Sequence, residues 1–510
     1  MDIFKINIYN SMAMKKMIFI FFLIPLISFA QNEKNNTREV ADSIVFYFNS
    51  ENTSKIFSMF SNYLKKEVPE NEVSDFLEGL KTSRGEITKI ELTDFSKKGE
   101  IMISVYPKIG LSISSSPSPI ASYKVYFKKF ILNMEISLNK NHKINSINFI
   151  AYADKKVSQN VINGLDTNQN SINERQKKLI FNNAKHFPNN TQVSFALIQN
   201  GNITYYGIKR VKDSIYSVEN NRNIFEIGSV SKLFTSNILS DFILNKKLKL
   251  KDNVFDYIDI KSDKIEDLKI SFESLSNHTS GLPRMPNNFS NSSKKDPLNP
   301  YSNYTLNEFK SYLSDSLKIN TNSIGKFQYS NLGVALLGYA LSIVDKSDYK
   351  SMFDSYVFRK YEMNNTTFDR EKINSLLVMG LNNEGDELPN WDLKLFGPAG
   401  GVLSNVKDLS KYAVANFDKT NKELLLSRNK TFKINKKRSV GLGWFILKSS
   451  SNKKRVYTHS GNTSGYSSFI GINTYNKNGI ILLSNVSGFN PNLEKLNTLG
   501  FKLLKNLKKN

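Results

Sequence analysis

Residues 193–243 constrain the fold more than any other part of the chain. Val193–Ile198 and Ile203–Ile208 read as two strands around Gln199-Asn200-Gly201-Asn202, and Asn-Gly supplies the left-handed backbone that a tight hairpin needs. Phe225-Glu-Ile-Gly-Ser-Val-Ser-Lys232 comes next. Leu233, Phe234, Ile238, Leu239, Phe242 and Ile243 then recur at helical spacing. Strands feeding an apolar helix are the mark of a mixed α+β domain, and they place Ser229 at the start of that helix.

At 510 residues the chain is too long for one hydrophobic core, so at least two domains are expected. Residues 39–64 carry Val40, Ile44, Phe48, Ile56, Phe57 and Phe60 at helical spacing, enough for two helices, and Glu72–Leu80 adds another. Strands are predicted at Ile87–Phe95, Ile101–Tyr106, Ser122–Phe130, Ile131–Leu138 and Ile144–Ala151, with a turn at Asn139–His142. Helices followed by an antiparallel sheet describe a small α+β domain over 31–155. The pattern resembles the cystatin-like or NTF2-like modules that some secreted hydrolases carry. It holds no nucleophile with a plausible base, and is read as an accessory domain whose partner the sequence does not name. Polar residues around Asp166–Arg175 mark a linker over 156–179, leaving 180–510 as the second domain.

The first 30 residues have the parts of a secretory signal: Lys15 and Lys16, the apolar run Met17–Phe29, and Ser28-Phe29-Ala30 before Gln31. Translation starting at Met14 would preserve all of them. The run is short for a membrane span of about 20 residues, so the expectation is cleavage after Ala30, export to the periplasm or the medium, and no stable membrane anchor afterwards. Cysteine is absent, which excludes disulfides, a thiol nucleophile and zinc-thiolate sites. The net charge of +24 is spread along the whole chain without a nucleic-acid-binding motif, so solvated surface is expected, not nucleic-acid binding.

A helix starting near Ser229 brings Lys232 onto the same face, one turn on, where nucleophile and base can meet. Unpaired N–H groups at the helix start also favour negative charge on an attacked carbonyl. Ser-x-x-Lys alone is weak evidence, since it recurs at Ser292/Lys295, Ser347/Lys350, Ser404/Lys407 and Ser427/Lys430. Gly325-Lys-Phe-Gln-Tyr-Ser-Asn-Leu-Gly333 offers Tyr329 as a proton relay and Asn331 as an amide for Lys232 or substrate. Val456–Ile470 reads as strand, glycine-assisted approach and strand, with His459, Ser460, Gly461 and Thr463 available to a substrate.

Ser229-Val-Ser-Lys232, Tyr329-Ser-Asn331 and His459-Ser-Gly461, in that order, resemble the three signature boxes of the serine β-lactamase and penicillin-recognising peptidase superfamily. Leu275-Ser-Asn-His-Thr-Ser-Gly-Leu-Pro283 and Phe396-Gly-Pro-Ala-Gly-Gly-Val-Leu-Ser404 look like two further landmarks of it, and the resemblance covers about residues 180–505. It implies a β-lactamase/transpeptidase-like fold, an antiparallel sheet flanked by helices with a helical subdomain.

It further implies acylation of Ser229, proton transfer shared by Lys232 and Tyr329, substrate binding by Asn331, His459, Ser460, Gly461 and Thr463, and an oxyanion hole from the backbone N–H groups of Ser229 and Asn462. Substrates implied are an ester or an amide, with D-amino-acid peptides from peptidoglycan, β-lactams and small esters as candidates. The alternative is a noncatalytic or penicillin-binding recognition protein of the envelope. No cofactor and no metal are expected, because neither His186 nor His278 has ligand spacing to another histidine or carboxylate. His278 is expected to shape a turn with Gly281 and Pro283.

His459 stands where many relatives have lysine, so carboxylate binding through it is expected to weaken between about pH 6 and 8. Lysine normally titrates near 10.4. Service as a base near neutrality therefore requires its pKa to fall by about 3, roughly 4 kcal/mol in favour of the neutral amine.

Overall fold

The computed structural model describes residues 33–507, apart from 68–69, 97–109, 112–118, 129–130, 153–159, 167–171, 294, 297, 318, 320–322, 374 and 449–454. The signal-like segment and the expected strand at Ile101–Tyr106 lie outside the described residues. No described helix is long and apolar enough to cross a membrane. The chain divides into two compact units, Met1–Tyr152 and Ala153–Asn510.

In the first unit a helix over 33–49 precedes Thr53–Ser58, Asn62–Glu67 and Glu70–Arg84. An antiparallel sheet follows, in the spatial order Ile87–Ser96, Ile120–Phe127, Ile131–Leu138, Ile144–Ala151 and Gly110–Leu111. The strand expected at Ser122–Phe130 begins two residues earlier and ends at Phe127. Ala121, Tyr123, Val125 and Phe127 alternate onto the buried face, where they join a core with Ala41, Ile44, Phe48 and Leu77.

The second unit is built on a ten-stranded sheet. Its spatial order is Phe432–Lys433, Arg438–Val440, Phe445–Leu447, Val456–Asn462, Ser467–Asn473, Asn478–Ser484, Gln192–Gln199, Asn202–Val211, Ser214–Ser217 and Ile162–Gly164. All pairings are antiparallel except the last, which is parallel. The predicted hairpin closes through Asn200 and Gly201 at φ +54° and +87°. Positive φ at both central residues matches the twist of the flanking strands.

Central strands are covered on both faces, which explains their unbroken apolar texture. Ile481 and Leu483 pack with the Ser231–Leu244 helix, whereas Ile480 and Leu482 pack under Glu174–Ala184 and Leu493–Asn506. Leu233, Phe234, Ile238, Leu239 and Phe242 are all fully buried, each adding about 1.5–3 kcal/mol of hydrophobic stabilisation. The helix beneath the site is thus among the best-anchored elements of this unit.

The expected linker over 156–179 is corrected by the structure. Ile162–Gly164 pairs with Ser214–Ser217, and Asn173 opens the next helix through a reciprocal capping box with Gln176. Asparagines that read as linker composition are therefore in part helix-start chemistry.

Candidate active site

Ser229 lies in a single 3₁₀ turn, Gly228–Val230, that runs into the helix Ser231–Leu244. The Ser231 hydroxyl donates to the Gly228 carbonyl at 2.7 Å and fixes that turn. One turn along, Lys232 is 1% exposed and its Nζ donates to Ser229 Oγ at 3.0 Å. The same Nζ donates to the carbonyl of Ala399, while Thr235 Oγ1 donates to that of Pro398 at 2.6 Å. The Phe396–Ser404 landmark thereby has a physical role: its backbone supplies the acceptor that holds the amine against the serine. The other Ser-x-x-Lys serines hydrogen-bond elsewhere. Ser292 donates to Glu308, Ser347 to Asp345 and Ser427 to the Leu424 carbonyl, and Ser404 bonds Thr366.

Burial pushes the Lys232 ammonium below its ordinary value. Charge interaction and a hydrogen bond with Tyr329 oppose this, and Arg284 pushes it further down. Lys232 Nζ lies 5.0 Å from the centroid of the Tyr329 ring. Tyr329 is itself stacked on His278, with ring centroids 4.3 Å apart. His278 stands at φ +63° and accepts the backbone N–H of Ser330 on Nδ1 at 3.3 Å, while its carbonyl accepts that of Gln328 at 2.7 Å. It shapes a turn, as expected, and that turn carries the phenol. Burial first, then Lys232, His459 and Arg284, keep its imidazole well below the usual range.

Ser330 caps the helix Asn331–Asp345, accepting from the Gly333 N–H at 2.8 Å and donating to the Pro283 carbonyl at 2.6 Å. Asn331 therefore projects from a capped helix start. Its Nδ2 contacts only the Met285 sulfur, at 3.9 Å, and its Oδ1 is buried with no hydrogen-bond partner. Asn462 Nδ2 is in the same state. Buried amide atoms left unpaired beside a cleft are poised for a ligand or water, since leaving them bare costs about 1–3 kcal/mol each.

The strand Val456–Asn462 passes alongside the nucleophile turn, and two glycines set the approach. A Cβ on Gly461 would stand 1.9 Å from the Ile227 carbonyl oxygen and 2.8 Å from Ser229 N. One on Gly228, at φ +51°, would stand 2.7 Å from Asn462 N. Bare backbone at both positions is what lets this strand lie against the nucleophile turn, with Asn462 N close to Gly228.

Alternation along that strand corrects the expectation for Ser460, and burial bears on that for His459. Ser460 points to the opposite face, where its hydroxyl donates to Asn497 at 3.4 Å, away from the cleft. His459 is on the site's face but 1% exposed, its Nδ1 2.8 Å from the Ser460 carbonyl and its ring 5.4 Å from that of Phe445. Burial and the adjacent Lys232 push its pKa down to about 3. A pKa that low runs against the expected titration of His459 between pH 6 and 8.

The cleft is small, about 30 Å³, and is lined by Gly228, Ser229, Asn331, Asn462 and Thr463 on its polar side. Tyr301, Trp391, Leu393, Phe396, Ala399 and Gly400 form the apolar wall. Tyr301 packs on Trp391 and Phe396 at 5.3 and 5.5 Å between centroids. Behind this wall, Glu226 accepts hydrogen bonds from Asn390 Nδ2 at 2.9 Å and from the Trp391 backbone at 2.8 Å. Burial raises its pKa against those bonds. Sequence reasoning missed Glu226, Tyr301, Trp391, Arg284 and Gly228. A carboxylate three residues before the nucleophile, inside an apolar stretch, was the one available signal.

A family model described as Beta-lactamase matches residues 183–505. This chain belongs to that family. Among β-lactamase relatives, a Beta-lactamase of Providencia stuartii is 26% identical over 230 residues, covering 44% of this chain and 55% of its own length. Beta-lactamase-like protein 4 of Dictyostelium discoideum is 32% identical over 215 residues, 37% of this chain and 35% of its own length. Protein flp of Staphylococcus aureus strain MW2 is 24% identical over 326 residues, 60% of this chain and 62% of its own. The chain thus spans between about a third and two thirds of these relatives.

The fold is shared with a β-lactamase/D-alanine carboxypeptidase from Pseudomonas syringae, with TM-score 0.54, 17% identity, and coverage of 66% of this chain and 99% of that one. A class C β-lactamase gives TM-score 0.55 at 18% identity, covering 68% and 99%. The first unit matches, over residues 41–147, a model described as a protein of unknown function, DUF3887.

Proposed function

We propose that this β-lactamase family member is an exported serine hydrolase that works through an acyl-enzyme on Ser229. The observation that carries the reading is the buried Lys232 amine, 3.0 Å from Ser229 Oγ and shifted toward its neutral form. Ser229 Oγ attacks an ester or amide carbonyl and gives its proton to the Lys232–Tyr329 pair. The two groups interact, so the proton belongs to the pair and not to one residue. Negative charge on the attacked oxygen is met by the Ser229 and Asn462 N–H groups, and the Asn331 amide orients the substrate. The pair then returns the proton to the departing oxygen or nitrogen on the Tyr329 side, and water repeats the sequence to release the acyl group.

The aromatic wall of Tyr301, Trp391 and Phe396 suits a flat or apolar acyl group. Export rests on the charged, apolar and small-residue pattern of the first 30 residues. The test is hydrolysis of a panel of aryl esters, D-alanyl peptides and β-lactams by wild type and Ser229→Ala. The reading expects turnover of at least one class and a loss of about 10³-fold or more in the variant. Retention of most of that activity by Ser229→Ala contradicts it, and binding without turnover would favour a recognition protein instead.

A further inference from the structure

With His459 neutral and every residue lining the cleft uncharged, the site as described offers a substrate no counter-charge from its walls. A cation does stand beside the Lys232–Tyr329 pair. Arg284 is exposed, and its guanidinium carbon lies 5.3 Å from the centroid of the Tyr329 ring that also faces Lys232. Its main chain is fixed: the Arg284 carbonyl accepts the N–H groups of both Asn331 and Leu332 at 3.1 Å. Pro283 and Pro286 restrict the backbone on either side, and the Pro283 carbonyl takes the Ser330 hydroxyl. Among the described residues no carboxylate forms an ion pair with it. Its field nonetheless reaches the site, lowering the pKa of Lys232, His278 and Tyr301.

An arginine held over an aromatic ring with its donors free is a preorganised carboxylate receptor, because the planar fork loses little freedom on pairing. We infer that Arg284 anchors a carboxylate on the leaving-group side of the substrate, the role the sequence had pointed toward His459 for. The inference rests on the hydrolase reading above. Tyr329 hands the proton to the leaving group, and Arg284 lies over that same ring. The carboxylate it holds therefore belongs to the departing half of the substrate, not to the acyl half beside Tyr301 and Trp391.

The test uses two phenylacetyl esters of near-equal size, of 3-hydroxybenzoate and of 3-hydroxybenzamide, with the full-length chain. Arg284→Gln is expected to lower the ratio of kcat/KM for the anionic ester to that for the neutral one by about 10- to 100-fold, the range of a charged hydrogen-bonded pair. Arg284→Lys should recover part of that ratio. Lys326→Gln removes an exposed cation from the Gly325–Gly333 segment and controls for the general attraction of a chain of net charge +24. It should change the ratio by less than about 2-fold. An Arg284→Gln ratio equal to that of wild type, or a fall matched by Lys326→Gln, overturns this assignment while leaving the hydrolase reading intact. Failure of wild type to turn over either ester or any other member of the panel above overturns both.

Discussion

Replacing Gly461 by alanine probes the oxyanion hole more directly than removing any side chain. The added methyl would meet the Ile227 carbonyl oxygen at 1.9 Å, about 1.5 Å inside the 3.4 Å at which ordinary contact begins, and would also crowd Ser468 Oγ and Ser229 N at 2.6 and 2.8 Å. Two of these neighbours are backbone of the nucleophile turn, which cannot swing aside as a side-chain tip does. The strand and the turn must separate, and a shift of that size takes one N–H donor out of reach of the attacked oxygen. Loss of one such donor costs about 2.7–4 kcal/mol, or 10²- to 10³-fold in kcat. Overpacking itself costs about 1–3 kcal/mol of stability.

Gly201→Ala separates the two effects. Gly201 sits at φ +87° with nothing within 4 Å of the methyl that alanine would add, so this variant is strained by roughly 1–2 kcal/mol without disturbing the site. Both proteins are compared with wild type below their melting temperatures, by kcat on a neutral ester and by the acylation rate with a fluorophosphonate. Gly461→Ala should be slow in both assays and Gly201→Ala slow in neither. A folded Gly461→Ala protein that acylates within about 3-fold of wild type refutes the assignment of Ser229 and Asn462 as the oxyanion donors.

Two further outcomes follow from the charges. For a neutral ester, kcat/KM should rise with pH as the Lys232–Tyr329 pair loses its proton, with a midpoint below the 10.5 of ordinary lysine. His459, at about 3, should contribute no inflection, and a limb between pH 6 and 8 that disappears in His459→Gln would contradict this. Glu226 has a raised pKa, so the fold gains from its protonated form and loses that stability as pH rises through the folded-state value. Glu226→Gln keeps an acceptor for Asn390 and Trp391. It should melt with wild type near pH 4 and above it near pH 8; equal melting curves at both pH values would show that the carboxyl carries no such penalty.

Local chemistry made much of this legible in the sequence. Asn200-Gly201 announced a hairpin that forms as written, and the apolar period after Ser229 announced the buried helix that presents Lys232. The strands Ile131–Leu138 and Ile144–Ala151 keep their predicted bounds. Long-range contact was not legible. His459 looks like a titrating group until the fold buries it beside Lys232. Ser460 looks like its partner until strand alternation turns it to the far face. Trp391 and Tyr301 come from segments with no periodic signal, and Arg284 gains meaning only once its backbone carbonyl is tied to the helix that Asn331 begins. Residues around Ile162 passed for linker because a three-residue edge strand is too short to show a period.

The central claim is that Ser229 is the nucleophile and Lys232 its activating base, and trapping the covalent intermediate tests it most directly. The full-length protein is treated with a fluorophosphonate, digested, and mapped by mass spectrometry, alongside Ser229→Ala and Lys232→Met. The account predicts one stoichiometric adduct on the peptide carrying Ser229, none in Ser229→Ala, and formation slowed by about 10²-fold or more in Lys232→Met. A wild-type protein that turns over an ester while its adduct maps to any other serine, or a Lys232→Met protein that labels at the wild-type rate, would contradict it.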